Sequence, residues 1–162
     1  MAQEEEKTRQ IVATNRRARF DYEIVDTVEA CMALIGPEVK SLRAGNANLG
    51  DGYAFVRRGQ MFLSNVHIGA YENAWRENPE PRRERKLLLH RHEIRRLEAK
   101  VSESGMTLIP LKLYFKNGRA KVEIGLCRGK QRHDKRESIR KRESDRDLQR
   151  AMRGRGRGRS RG

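Results

Sequence analysis

From Thr107 to Leu126 the chain alternates apolar and charged positions with period two: Leu111, Leu113 and Phe115 interleave with Lys112 and Lys116, and Val122, Ile124 and Leu126 with Lys121 and Glu123. Asn117-Gly118 between them tolerates the positive φ of a type I′ turn, so the segment predicts a hairpin with one buried face. Pro110 lacks a ladder donor and predicts an edge or a bulge at the start of the first strand. Phe20, Tyr22 and Ile24 alternate with Asp21 and Glu23, predicting a strand. A second is predicted over residues 28–35, with Val28, Ala30, Met32 and Leu34 on one face and Glu29 and Cys31 on the other. Residues 53–57 and 60–68 predict another hairpin around Arg58-Gly59.

Helical spacing enters twice. After the break at Gly36-Pro37, Pro37 suits the first turn of a short helix over residues 38–43, with Val39 and Leu42 facing the core and Gly45 as C-terminal cap. Further on, Leu87, Ile94, Leu97 and Val101 share a helical face flanked by Arg91, Arg95, Arg96 and Lys100, and the run ends at Ser102-Glu103-Ser104-Gly105. Residues 1–11 read as a flexible, frayed terminus, and residues 69–85, with Trp75, Pro79 and Pro81, as an exposed loop. Strands, one helix and a further hairpin follow in the order of an OB-type barrel, a five-stranded Greek-key scaffold. A helix-capped sandwich or an SH3-like barrel gives a similar pattern.

Charge changes the picture beyond the last strand. Of a net charge of +15 over 162 residues, +10 lies in residues 128–162, which hold 15 Arg or Lys against 5 Asp or Glu. So little apolar surface cannot repay the entropy of folding alone, whereas a basic strip neutralises phosphates and releases their counterions. This points to a polyanion, RNA first. Residues 137–152 have suitably spaced opposite charges for a helix, but the apolar face is thin: Ile139, Leu148, Ala151 and Met152. We therefore expect a tail that is disordered when free and helical on a charged surface; a permanently unstructured solubilising tail is the alternative.

Two further clusters are basic. Asn15-Arg16-Arg17-Ala18-Arg19 can grip a phosphate backbone and a base edge, or serve as a solvated leader that protects an edge strand. In Arg82-Arg83-Glu84-Arg85-Lys86-Leu87-Leu88-Leu89-His90, three consecutive leucines cannot all face one core in strand or helix. An outward Leu could pack on a base beside Lys86 and His90; burial of all three beneath a loop is the competing reading. Glu29 is a polar residue of the outer strand face or an acceptor for a base amino or ribose hydroxyl.

Catalytic motifs are absent from the sequence, and His90 and His92 lack the further ligands that a zinc site needs, so neither enzyme activity, metal nor cofactor is expected. Cys31 and Cys127, without CxxC spacing, suit a reduced cytoplasmic protein. No run of about 18 apolar residues predicts a membrane span, and the acidic start does not read as a secretory signal.

Several blocks in order resemble one family, the SsrA-binding proteins (small protein B): Asn15 to Arg19, Glu29-Ala30, Gly36-Pro37-Glu38-Val39-Lys40-Ser41-Leu42-Arg43-Ala44-Gly45, Arg85 to His90, Pro110-Leu111-Lys112-Leu113-Tyr114-Phe115, and Gly129-Lys130 through Asp134-Lys135-Arg136. Cys31 departs from the Gly usual in that family after Glu-Ala. The resemblance implies a mainly β chain: an OB-fold core over residues 12–132 with accessory helices, then a basic tail over 133–162, helical over 137–152 on the ribosome and ending in a Gly-Arg extension, 153–162. It implies binding to the tRNA-like part of transfer-messenger RNA and delivery to stalled ribosomes. Through that RNA, elongation factor Tu and alanyl-tRNA synthetase would be indirect partners. Carried over by position, the RNA face would comprise Asn15, Arg16, Arg17, Arg19, Tyr22, Glu29, Arg43, Lys86, Leu88, His90 and Lys121. Lys130, His133, Asp134, Lys135, Arg136 and Ile139 would serve the decoding centre and empty mRNA channel of the small subunit. The rival is a ribosomal structural protein whose basic tail threads ribosomal RNA.

Overall fold

The computed structural model describes residues 9–74, 78–130 and 132–157, the backbone alone at 132–138 and 153–157. It divides into two units, Met1–Gly129 and Lys130–Gly162. The first contains, in chain order, β1 (Arg9–Thr14), α1 (Ala18–Asp21), β2 (Tyr22–Met32), α2 (Gly36–Arg43), β3 (Ala47–Asn48), β4 (Tyr53–Arg57), β5 (Gln60–Ser64), β6 (His67–Ile68), β7 (Arg85–Leu88), α3 (Arg91–Ser104), β8 (Thr107–Lys116) and β9 (Arg119–Gly129); the second is α4 (Arg132–Arg157).

Strands run in the order β4-β5-β7-β2-β9-β8, and β8 pairs back with β4 at Leu108, so the antiparallel sheet closes into a barrel. Closure leaves β1 as an added strand on β8, while β3 and β6 form a separate pair. Six strands in the closed sheet, rather than five, are the main departure from the expected scaffold. The interior is filled by Met61, Leu63, Leu87, Leu108, Leu113, Val122 and Ile124, with Ile94 and Leu97 of α3 joining the same cluster. A bulge between Pro110 and Lys112 bends β8 where the proline has no N–H to give the ladder. Its outer edge pairs with β4 at Leu108 and with β1 from Lys112 onward.

The two type I′-like turns form as the sequence suggests. Asn117 and Gly118 have φ of 52° and 75°, and Arg58 and Gly59 have 52° and 73°. Gly105, at φ 60°, ends α3, and Gly45, at φ 77°, follows α2. The second hairpin's return strand stops at Ser64, and His67–Ile68 pairs elsewhere, with β3.

Other expectations also need correction, among them the exposed loop over residues 69–85, whose last residue, Arg85, is buried in β7. The terminus expected to fray is already β1 from Arg9; residues 1–8 lie outside the described residues, as does Trp75. The two strands expected over residues 20–35 are one, β2, with a bulge between Ile24 and Asp26 where the alternation breaks. Phe20 belongs instead to α1. Leu87 is not helical: it sits in β7, paired with Met32 and Met61, and α3 begins four residues later. Its seven-residue distance from Ile94 imitates two helical turns. The inward partner that would have revealed the strand is an arginine, Arg85.

Candidate nucleic-acid interface

Strand register brings several of the singled-out residues onto one outer row. Leu88 of β7 lies opposite Cys31 of β2, Cys31 opposite Lys121 of β9, and Lys121 opposite Tyr114 of β8. Leu88 is 52% exposed between the buried Leu87 and the half-buried Leu89, so the three leucines do divide between core and surface. A shallow hollow of about 330 Å³ beside Leu88 is lined by Cys31, Leu34, Val39 and Ala120. Lys86, also exposed, precedes Leu88 on the outward side.

Glu29 sits two residues from Cys31 amid cations. Its Oε1 lies 3.8 Å from Lys116 Nζ and 3.7 Å from Lys121 Nζ, and its Oε2 lies 3.6 Å from Arg9 Nη2. The Tyr114 hydroxyl donates to the same carboxylate. Burial opposes ionisation here, but the Tyr114 hydrogen bond and the Lys116, Lys121 and Arg9 charges outweigh it and hold the carboxyl below its usual range. Burial and the bond to Glu29 push the Tyr114 hydroxyl well up. Lys121 is held charged by its contact with the Cys31 sulfur and by Glu29. Glu29 therefore organises three cations and leaves the patch net positive. Cys31 supplies a half-buried thiol to this cluster, and Cys127 is buried, its thiol pushed up to about 11 by desolvation; both are free.

Patterning alone misses Arg9 and Lys116. Lys116 was within reach, because the Asn117-Gly118 register already places Lys112, Tyr114 and Lys116 on one side. Arg9 depends on the long-range pairing of β1 with β8, for which no local signal exists.

Asn15 is placed inside the fold. Its Nδ2 donates to the Pro110 carbonyl at 3.0 Å and the Leu49 carbonyl at 3.5 Å, and its Oδ1 accepts from the Ala18 N–H at 3.2 Å. The amide thus pins the turn that carries Arg16, Arg17 and Arg19, all three exposed. Arg17 Nε donates to Asp21 Oδ2 at 3.1 Å. Tyr22 packs on a small second cluster of Ala18, Ile109, Leu111 and Cys127, and lines a groove of about 580 Å³ with Asn15, Arg17 and Tyr53. Arg43 lies apart from that groove, its guanidinium carbon 5.0 Å from the centre of the Phe115 ring. His90 occupies the position before the first turn of α3, without a side-chain capping bond, and its ring stacks on His92 with centres 5.5 Å apart. No group of metal-ligating side chains occurs among the described residues, and none of their helices is long and apolar enough to cross a membrane.

Beneath the face lies a buried ion cluster. Arg85 is wholly inaccessible and Glu38 is 2% exposed; Arg85 Nε donates to Glu38 Oε2 at 2.6 Å, and Arg83 pairs with the same carboxylate. The remaining Arg85 donors go to the carbonyls of Val66 at 2.8 Å, Pro81 at 2.9 Å and Arg83 at 3.2 Å. Glu38 also accepts the Ile35 N–H at 3.2 Å. The cluster ties α2, the loop after β6 and β7 into one support for Lys86 and Leu88.

In the second unit, α4 spans more than the expected helix, beginning at Arg132 and including part of the Gly-Arg extension. Lys130 precedes it and is partly exposed. Ile139, Leu148 and Met152 are exposed at 43, 58 and 74%. The side chains of His133, Asp134, Lys135 and Arg136 lie outside the described residues.

The family model described as SmpB protein matches residues 12–154. An SsrA-binding protein of Thermobifida fusca is 58% identical over 144 residues, covering 89% of this chain and 90% of its own. That of Desulforudis audaxviator is 53% identical, covering 95% and 99%. A solved chain described as "tmRNA-SmpB: a journey to the center of the bacterial ribosome" superimposes with a TM-score of 0.64 at 51% identity, covering 79% of this chain and 94% of that one. With closed barrel, basic outer row and near-full-length matches in agreement, the chain belongs to the SmpB protein family.

Proposed function

We propose that the chain is an RNA-binding adaptor of ribosome rescue, binding the tRNA-like domain of transfer-messenger RNA and escorting it to stalled ribosomes. Support comes chiefly from the outer row in which Cys31 lies between the exposed Leu88 and Lys121, next to the Glu29-centred cations. An apolar side chain in water beside fixed positive charge suits a ribose or base edge with its phosphate. Glu29 holds the cations in place and retains acceptor capacity for a hydroxyl or amino group. Asn15 acts behind the surface, orienting the arginines of its turn. Arg43 and His90 extend the basic surface.

The basic tail is the ribosomal half of the adaptor. Lys130, His133, Asp134, Lys135 and Arg136 are assigned to the decoding centre, and the helix from residue 137 onward, with Ile139 on its apolar face, to the empty mRNA channel. Resident mRNA would exclude the same segment by volume and charge. Elongation factor Tu and alanyl-tRNA synthetase meet the protein only through the RNA, and the work is done in the cytoplasm without catalysis by this chain.

RNA co-purified with the protein and sequenced tests this directly. A single small stable species with a tRNA-like end is expected, whereas ribosomal RNA alone, retained on high-salt-washed ribosomes, would indicate a structural ribosomal protein.

A further inference from the structure

A second stretch of the barrel's outer face carries chemistry of its own. On β4, Tyr53, Phe55 and Arg57 point outward between the core-side Ala54 and Val56, and the β4–β5 register sets Phe55 directly opposite Phe62. The Phe55 and Phe62 rings stack with centres 5.9 Å apart and planes at 29°, and Tyr53 follows 6.0 Å from Phe55. The Arg57 guanidinium lies over this pair, its carbon 4.5 Å from the Phe62 centre and 5.6 Å from that of Phe55. Glu84 holds it there by accepting from Nη2 at 2.7 Å and Nη1 at 3.3 Å. The exposed members are thus a fixed planar cation with 53% of its side chain exposed and, next to Phe55, a tyrosine that is 45% exposed.

Three neighbours connect this ladder to the residues already described. Phe62 is paired with Lys86, which leads to Leu88 on the same outward side of β7. Tyr53 lines the groove shared by Arg17 and Tyr22. At the turn end, beyond the Arg57–Gln60 pair that lies two rungs from Phe55 and Phe62, a hollow of about 290 Å³ is lined by Arg58, Arg91 and Arg95 together with Gln60 and Glu98. The hairpin therefore bridges the first basic cluster and the Leu88 row, with arginines at its tip.

We propose that the β4–β5 hairpin is a further RNA contact, in which Tyr53 and the Arg57 guanidinium stack unpaired bases while Arg58, Arg91 and Arg95 hold an adjacent phosphate. Aromatic rings and guanidinium planes both stack on bases, and every base offers a π-face, so such a site selects exposed bases without choosing their identity. Arginine fits where lysine does not, because the planar group is what stacks. Glu84 orients that plane before the RNA arrives. This inference rests on the RNA-binding function proposed above and extends its surface over the hairpin.

Titration of transfer-messenger RNA into the full chain and its variants tests it, with Leu88→Asp as the reference for loss of the first surface. Tyr53→Ala and Arg57→Ala should each weaken binding by about fivefold or more. Tyr53→Phe should bind as the unaltered chain does, whereas Arg57→Lys, which keeps the charge but not the plane, should remain weak. Unaltered affinity in Tyr53→Ala and Arg57→Ala, with loss in Leu88→Asp, would overturn the hairpin contact and leave RNA binding by the barrel standing. Failure of the unaltered chain to bind that RNA would overturn both. Ultraviolet crosslinking to the unaltered chain reads the contact without any substitution: adducts on the peptide spanning residues 53–62 support it, and adducts confined to other peptides contradict it.

Discussion

Arg85 and Glu38 are charges placed where water does not reach, and each is tolerable only because the other is there. Arg85 directs its donors to Glu38 and to three backbone carbonyls. Removing the carboxylate would leave a buried guanidinium uncompensated, a loss of about 3–5 kcal/mol. Glu38→Gln should therefore lower the free energy of unfolding by that amount at neutral pH, measured by urea denaturation. Burial works against the Glu38 charge, but its bonds to Arg83 and Arg85 prevail and lower its pKa. The stabilisation is then complete above the ordinary glutamate pKa of about 4.3 and is lost as pH falls through the lowered folded value. The variant should accordingly lose less stability on acidification than the unaltered chain. Asn15 presents the same physics without charge: Asn15→Ala leaves the Ala18 N–H and the Pro110 carbonyl without their partner, at a cost of about 1–3 kcal/mol. If Asn15 acts by holding its turn, RNA affinity and thermal midpoint should fall together; full stability with lost affinity would make it a direct RNA ligand.

At the level of elements, turns and helix ends were legible in neighbouring residues, whereas strand limits and pairings were not. The Asn117-Gly118 and Arg58-Gly59 turns, the Pro37 helix start and the Gly105 stop are written in neighbouring residues. Strand β7 was hidden because its inward position 85 is an arginine that becomes a core residue only once Glu38 arrives from α2. Strand β1 was hidden because its ladder lies on β8, about a hundred residues away. The same limit applied to the candidate face. Leu88 and Lys121 were each visible as an outward residue of its strand, but setting Cys31 between them required β2 to pair with both β7 and β9. α4 raises the opposite question, since its apolar residues are exposed and its stability must come from local charge pairs worth about 0.2–0.5 kcal/mol each. A peptide of residues 132–157 should therefore show weak helicity by circular dichroism in dilute buffer and gain helix on adding RNA. Stable helicity in buffer alone would contradict a tail that orders on its target.

Across the whole molecule, the barrel holds the fixed geometry, and residues 128–162 hold two-thirds of the net positive charge. A rigid face suits a folded RNA of fixed shape, and a cationic segment with little to bury suits a groove that is accessible only when mRNA is missing. The division predicts that a chain ending at His133 cannot support tagging of proteins made from stop-less messages, measured in a reconstituted translation system. The most direct test of the account is the affinity of that truncated chain for transfer-messenger RNA beside that of full-length Leu88→Asp. The account predicts that the truncated chain binds nearly as tightly as the intact one while Leu88→Asp binds weakly. Loss of RNA binding on truncation, with binding retained in Leu88→Asp, would contradict it.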